Sequence, residues 1–112
     1  MKKSIRKLPY FEFLERCLQE DRKQGFTLNR SAARMLETIA LAEHNNEPLI
    51  VSEAIQQKDI GSPATNHRQI GILEDSGWIE RQFSAGDRRR KYLFTTAKSR
   101  RYFHKRSKLL LT

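Results

Sequence analysis

A chain of 112 residues with 38% hydrophobic content is the size of one domain with a modest core, and no apolar run approaches the ~20 residues of a membrane span. Its net charge of +9 is unevenly placed: residues 1–77 hold 11 Lys/Arg and 11 Asp/Glu, whereas residues 78–112 hold 11 Lys/Arg against Glu80 and Asp87 alone. Such a one-sided basic region is the electrostatic footprint of a nucleic-acid binder, although a basic tail kept in solution by its charge would share the composition.

The N-terminal run Met1-Lys2-Lys3-Ser4-Ile5-Arg6-Lys7 leads into mixed, charged sequence. It lacks the apolar stretch and small-residue cleavage site of a secretory signal, so a cytoplasmic location is expected. Pro9 can open a first helix, in which Phe11, Leu14, Cys17 and Leu18 fall at helical spacing and Gly25 serves as C-cap. Cys17 is the one cysteine, which rules out an internal disulfide and a cysteine-rich metal site; a redox-sensing role would require a lowered pKa. A second helix begins at Asn29, a good N-cap, carries Ala33, Leu36, Ile39 and Ala40 on one face, and ends near Asn45 and Asn46.

Leu49-Ile50-Val51 is a short extended apolar piece, followed by a brief helix over about 52–58 with Ala54 and Ile55 facing inward. Ile60-Gly61 makes a turn. Ser62-Pro63 is a strong helix start, a capping serine and then proline at the first helical position; this helix runs to about Ser76, with Ile70 and Leu73 inward and Gly77 closing it. Residues 78–82 read as a strand, 84–87 as a turn and 89–95 as the returning strand, with Tyr92 and Phe94 on one face and Leu93 on the other. Thr95 or Thr96 can cap a last helix carrying Tyr102, Phe103, Arg106 and Leu110. The order helix, helix, short strand, helix, helix, hairpin, helix is that of a winged helix-turn-helix, mainly α with a small β-hairpin. The expected layout is one domain over 1–112: helix-turn-helix at about 52–76, wing at about 78–95, and terminal helices at about 9–24 and 96–111.

Several segments then carry a specific likeness. Ser52-Glu53-Ala54-Ile55 and Ser62-Pro63-Ala64-Thr65 look like the openings of the two helices of the helix-turn-helix in MarR-type transcriptional regulators. Leu73-Glu74-Asp75-Ser76-Gly77-Trp78-Ile79-Glu80-Arg81 is similar to that family's passage into the wing, Asp87-Arg88-Arg89 to its wing motif, and Phe94-Thr95 to the entry of its next helix. The match spans roughly residues 29–98, and its order and spacing are stronger than any one piece. The resemblance implies that Arg88 enters the minor groove while Asp87 orients the wing. Physically, the negative potential of a narrow minor groove attracts arginine. An aspartate would repel phosphate, so Asp87 is expected to hold an arginine or turn amides. The competing reading of Asp87-Arg88-Arg89-Arg90-Lys91 is a solvated charge run.

The Ser62–Ser76 helix would lie in the major groove, where Ser62, Thr65, His67, Arg68 and Gln69 can reach phosphates or base edges; Arg89 and Arg90 join Arg88 on the wing. Thr65, His67 and Arg68 are the leading candidates. Asn66, four before Ile70, falls on the inward side where the family carries an apolar residue, so either it makes a buried hydrogen bond or the helix is rotated. Gly71 and Ile72 also depart from the family's charged or polar residues.

Catalysis and metal binding are not expected. His44, His67 and His104 lack ligand spacing, the glycines form no phosphate loop, and Glu12/Glu15 and Glu74/Asp75 read as surface carboxylates. No cofactor is implied, and the expectation is a protein that is not an enzyme. The partner expected is double-stranded DNA, bound by a homodimer with no membrane association. Family members usually add long terminal helices that build a dimer and a ligand pocket; a second C-terminal helix is missing here, so a small-molecule effector is not expected. Phe11, Phe13, Leu14 and Leu18 with Tyr102, Phe103, Leu109 and Leu110 can build a reduced dimer or pack first helix on last. Two alternatives remain beside transcriptional regulation: a plasmid or phage DNA-maintenance protein making the same contacts, and a winged helix that binds proteins.

Overall fold

The structure, a computed structural model, describes residues 8–110, with the side chains of Asp87 and Arg88 outside the description. Five helices and one hairpin follow in the order α1 (Pro9–Gln24), α2 (Arg30–His44), α3 (Val51–Ile55), α4 (Pro63–Asp75), β1 (Ile79–Ser84), β2 (Asp87–Thr95) and α5 (Ala97–Leu110). They group into two compact units, one spanning residues 28–100 and the other combining α1 and the segment after it with α5 from Arg101 onward.

The larger unit is the winged helix-turn-helix. Asn29 holds extended backbone angles while its side chain accepts from the Ala32 amide at 2.8 Å, which satisfies one orphan donor of the first turn of α2. The buried stripe of α2 is Ala32, Met35, Leu36 and Ile39. Leu36 and Ile39 are where their spacing puts them, but Ala33 and Ala40 are only half-buried, because Met35 takes the centre of the face. Ile70 and Leu73 of α4, Ile79 of β1 and Leu93 of β2 close the core. Each large apolar side chain so buried contributes about 1.5–3 kcal/mol, so α4 is held to α2 chiefly by two residues of its own inward stripe.

Helix α3 is shorter than the expected 52–58. It is a five-residue turn whose start is held by Glu53 Oε1, accepting from the Ile50 amide at 3.0 Å, with Ala54 fully buried beneath it. The extended piece before it forms a single bridge between Ile50 and Tyr92, and the Leu93 amide donates to the Leu49 carbonyl at 2.9 Å. The hairpin is antiparallel, in register from Ile79–Thr95 to Phe83–Lys91. There the pairing slips, and the next pair is Ser84–Asp87. Arg88, Arg89 and Arg90 therefore sit on the bulged stretch of β2 between those two pairs, where local twist increases.

The base of the wing is clasped. Gly77 takes φ +77°, a left-handed conformation that lets the chain leave α4 and turn into β1. Its carbonyl accepts from Thr96 Oγ1 at 2.6 Å, the Ser76 carbonyl from Lys98 Nζ at 2.7 Å, and the Trp78 carbonyl from Ser99 Oγ. Three consecutive carbonyls leaving α4 are thus taken by side chains at the start of α5. Lys98 also lies 4.4 Å from the centroid of the Trp78 ring. Glu43 of α2 adds a second tie, accepting through Oε1 from both the amide (2.8 Å) and the hydroxyl (2.9 Å) of Thr95.

In the smaller unit, Pro9 opens α1 and Gly25, at φ +67°, ends it. Phe26 stacks on Tyr102 with centroids 5.0 Å apart, and Arg106 donates to Asp21 at 2.7 Å while lying 4.9 Å from the Tyr102 centroid. Cys17 is buried, and that burial pushes its thiol up from the ordinary value, with Arg106 pulling down and Asp21 adding to the rise. The lowered pKa that a redox sensor requires is not what this environment produces. Phe13, Leu14, Tyr102, Phe103 and Leu109 are half-buried, whereas Phe11, Leu18 and Leu110 remain exposed.

Candidate nucleic-acid interface

Helix α4 separates its residues by direction. Ser62 caps it from an extended conformation: its Oγ accepts from the Thr65 amide at 3.2 Å and donates to Thr65 Oγ1 at 3.1 Å. Pro63, Ala64, His67 and Arg68 are exposed, with Thr65 half-buried. These residues form the first two turns, the part of a helix that enters a major groove head-first. Gly71 continues the outward face one turn on, and a Cβ built there meets nothing within 4 Å.

The inward stripe is Asn66, Gln69, Ile70 and Leu73, at i, i+3, i+4 and i+7. Two of its four members are polar. Asn66 is completely buried and makes the hydrogen bonds that were one of its two open readings. Its Nδ2 donates to the carbonyls of Ile55 (2.9 Å), Gln57 (2.9 Å) and Gly61 (3.1 Å), so one amide ties the end of α3 and the following turn to α4. With two hydrogens for three acceptors, one bond is shared. A flipped amide would aim oxygen at three oxygens, which fixes the orientation.

Gln69 corrects the sequence reading. Expected among the exposed contact residues, it is 6% exposed and its Oε1 accepts from Asn29 Nδ2 at 3.3 Å. The spacing that puts Asn66 and Ile70 inward puts Gln69 there too, and the partner that makes burial tolerable lies 40 residues away in sequence. Ser62, Thr65, His67 and Arg68 remain together at the open end of α4.

On the wing, Arg89 and Arg90 are exposed on the bulged stretch, while only the backbone of Asp87 and Arg88 is described. Arg81 is drawn back instead: its Nε and Nη2 form a two-pronged pair with Glu74, both at 2.7 Å, linking the last turn of α4 to β1. A bidentate pair of this kind fixes direction as well as distance, and here it sets the wing against the recognition helix. Phe83 has no part in the sequence reading, and Lys91 enters it only within the charge run of the wing. They face one another across the strands, with the Lys91 ammonium 5.8 Å from the ring centroid and Phe83 57% exposed. The strand alternation that puts Leu93 inward would have placed both on its side of the hairpin. Among the described residues no three His, Cys, Asp or Glu side chains gather to hold a metal ion, and no helix is long and apolar enough to cross a membrane.

A helix-turn-helix followed by a bulged basic wing defines the fold: this is a winged helix-turn-helix, similar in fold to MarR. The chain is similar to a mutant of S. aureus MepR bound to an oligodeoxyribonucleotide, with TM-score 0.66 and 16% identity over 97% of this chain and 75% of that one. It is similar also to the transcriptional regulator Tm0710 of Thermotoga maritima (0.64, 19%, over 97% and 71%) and to Streptococcus pneumoniae FabT in complex with DNA (0.56, 22%, over 95% and 75%). At these identities the likeness is one of fold. No protein-family model and no curated protein sequence matches the chain.

Proposed function

We propose that the chain is a double-stranded DNA-binding transcriptional regulator without catalytic activity, acting in the cytoplasm as a homodimer. The observation that carries this reading is the pairing of an open, polar α4 N-terminus with a wing that carries exposed arginines on its bulged stretch. Helix α4 offers Ser62, Thr65, His67 and Arg68 to a major groove; the wing offers Arg88, Arg89 and Arg90 to the adjoining minor groove or its phosphates. Asp87, beside them, serves the shape of the wing. Similar folds solved with DNA, including the MepR mutant and FabT, support the same docking.

The homodimer is supported by the apolar side chains Phe11, Leu18 and Leu110, which remain exposed on the helices of the smaller unit. A two-fold dimer would bind half-sites about one helical turn apart. Titration of a random duplex at several salt concentrations tests the DNA reading: log K should fall by about 0.9 for each phosphate neutralised per decade of salt. A flat salt dependence would remove DNA as the partner and favour a protein-binding winged helix. Sedimentation at saturation tests the dimer, which one protein per non-palindromic site would overturn.

A further inference from the structure

We propose that Phe83 and Lys91 form a second, apolar contact of the wing with DNA, the Phe83 ring lying on the deoxyribose wall of the minor groove with the Lys91 ammonium on the phosphate above it. The inference rests on the DNA-binding reading and extends it to residues outside the arginine cluster.

Four observations converge on this pair. Phe83 is 57% exposed although it lies on the hairpin face that buries Ile79 and Leu93. Residues 79, 81 and 83 of β1 and residues 91, 93 and 95 of β2 share that face, so the core-facing stripe runs past the core and ends in an aromatic ring. Arg81, the residue between, is pulled to Glu74 in the last turn of α4, which shows that this face of the hairpin lies on the side of α4. Phe83–Lys91 is also the last regular rung before the bulge, which gives the ring a fixed platform below the arginine tip.

The surroundings select the occupant. The ring is flanked by the Lys91 ammonium, and Arg89 and Arg90 lie just beyond, while Glu80, the acidic residue of β1, points to the opposite face. An apolar ring framed by cations complements a surface that alternates sugar and phosphate. Apolar side chains carried into a minor groove by a basic element commonly pack against its sugars or base steps.

Anisotropy titrations of one duplex across several salt concentrations test the proposal. Phe83→Ala should weaken binding about tenfold at every salt and leave the slope of log K against log salt unchanged, because the ring carries no charge. Phe83→Tyr should stay within about twofold of wild type, and Lys91→Gln should reduce the slope by about one unit. Phe83→Trp gives a direct readout independent of the alanine variant: its indole emission should change on adding duplex, by more than that of Trp78 in the wild type. If wild type binds with a steep salt dependence while Phe83→Ala matches it throughout and the Phe83→Trp signal does not move, the pair is no contact, and the DNA reading stands without it. If wild type does not bind duplex, both fall. A Phe83→Ala variant that changes oligomeric state in sedimentation and leaves duplex affinity intact would assign the ring to a protein contact and overturn the proposal.

Discussion

Replacing Asn66 should loosen the helix-turn-helix from inside. Its amide donates to the carbonyls of Ile55, Gln57 and Gly61, with two bonds at 2.9 Å and the third at 3.1 Å. Each of the two short bonds contributes about 1 kcal/mol net, and a buried carbonyl left without a donor costs about 1–3 kcal/mol. Asn66→Ala should therefore cost about 3 kcal/mol in urea unfolding, with Tm lowered by about 12 °C for a chain of this size. Asn66→Asp sharpens the test, because a carboxylate has no hydrogen to give and would face three carbonyl oxygens. It should be worse than Asn66→Ala at neutral pH. That environment raises the folded-state pKa of the introduced carboxyl, so its deficit should shrink as the pH falls and the acid regains an O–H. Equal stability of Asn66→Ala and wild type within about 0.5 kcal/mol, with Asn66→Asp no worse than Asn66→Ala at neutral pH, would refute the role given to the amide.

Three other outcomes are expected. Arg68→Ala should cost roughly 1–3 kcal/mol mainly on a specific site and relax one base preference, whereas Arg88→Ala should weaken specific and random duplex together and lower the salt slope by about one unit; parallel titrations on selected and random duplex separate them. Asp87→Ala should behave as a milder Arg88 loss. Glu74→Ala should cost less than about 1 kcal/mol in stability, since the pair with Arg81 is partly exposed, yet weaken duplex binding by releasing the wing; binding unchanged from wild type would show that the pair does not set the wing. Burial and a raised pKa should make Cys17 react with a thiol reagent at least about tenfold more slowly than a free thiol at the same pH, with the rate recovering in urea.

Much of the fold was written in local signals. Ser62-Pro63, Asn29 and Gly25 mark helix ends through chemistry confined to one turn, and each acts as its residue type dictates. Alternation along β2 put Leu93 opposite Tyr92 and Phe94, and Leu93 is the buried one. What stayed hidden depends on partners distant in sequence. Gln69 is buried because Asn29 meets it, and Glu43 reaches Thr95 across 52 residues. The bulge on which Arg88, Arg89 and Arg90 sit is a register property of two strands together, which a turn motif alone does not encode. Phe83 falls outside the strand expected at 78–82, because the end of β1 is set by its pairing with β2 rather than by its own residues.

The clasp at the foot of the wing has a consequence for change over generations. Carbonyls 76–78 and the side chains of Thr96, Lys98 and Ser99 close residues 78–95 into a loop whose ends are pinned. Extending a pinned loop costs little, about 0.6 kcal/mol for each doubling of its length. The tip can therefore gain or lose residues, and with them reach and charge, while the exit of α4 keeps its place. Altering the wing does not require re-solving how α4 is held.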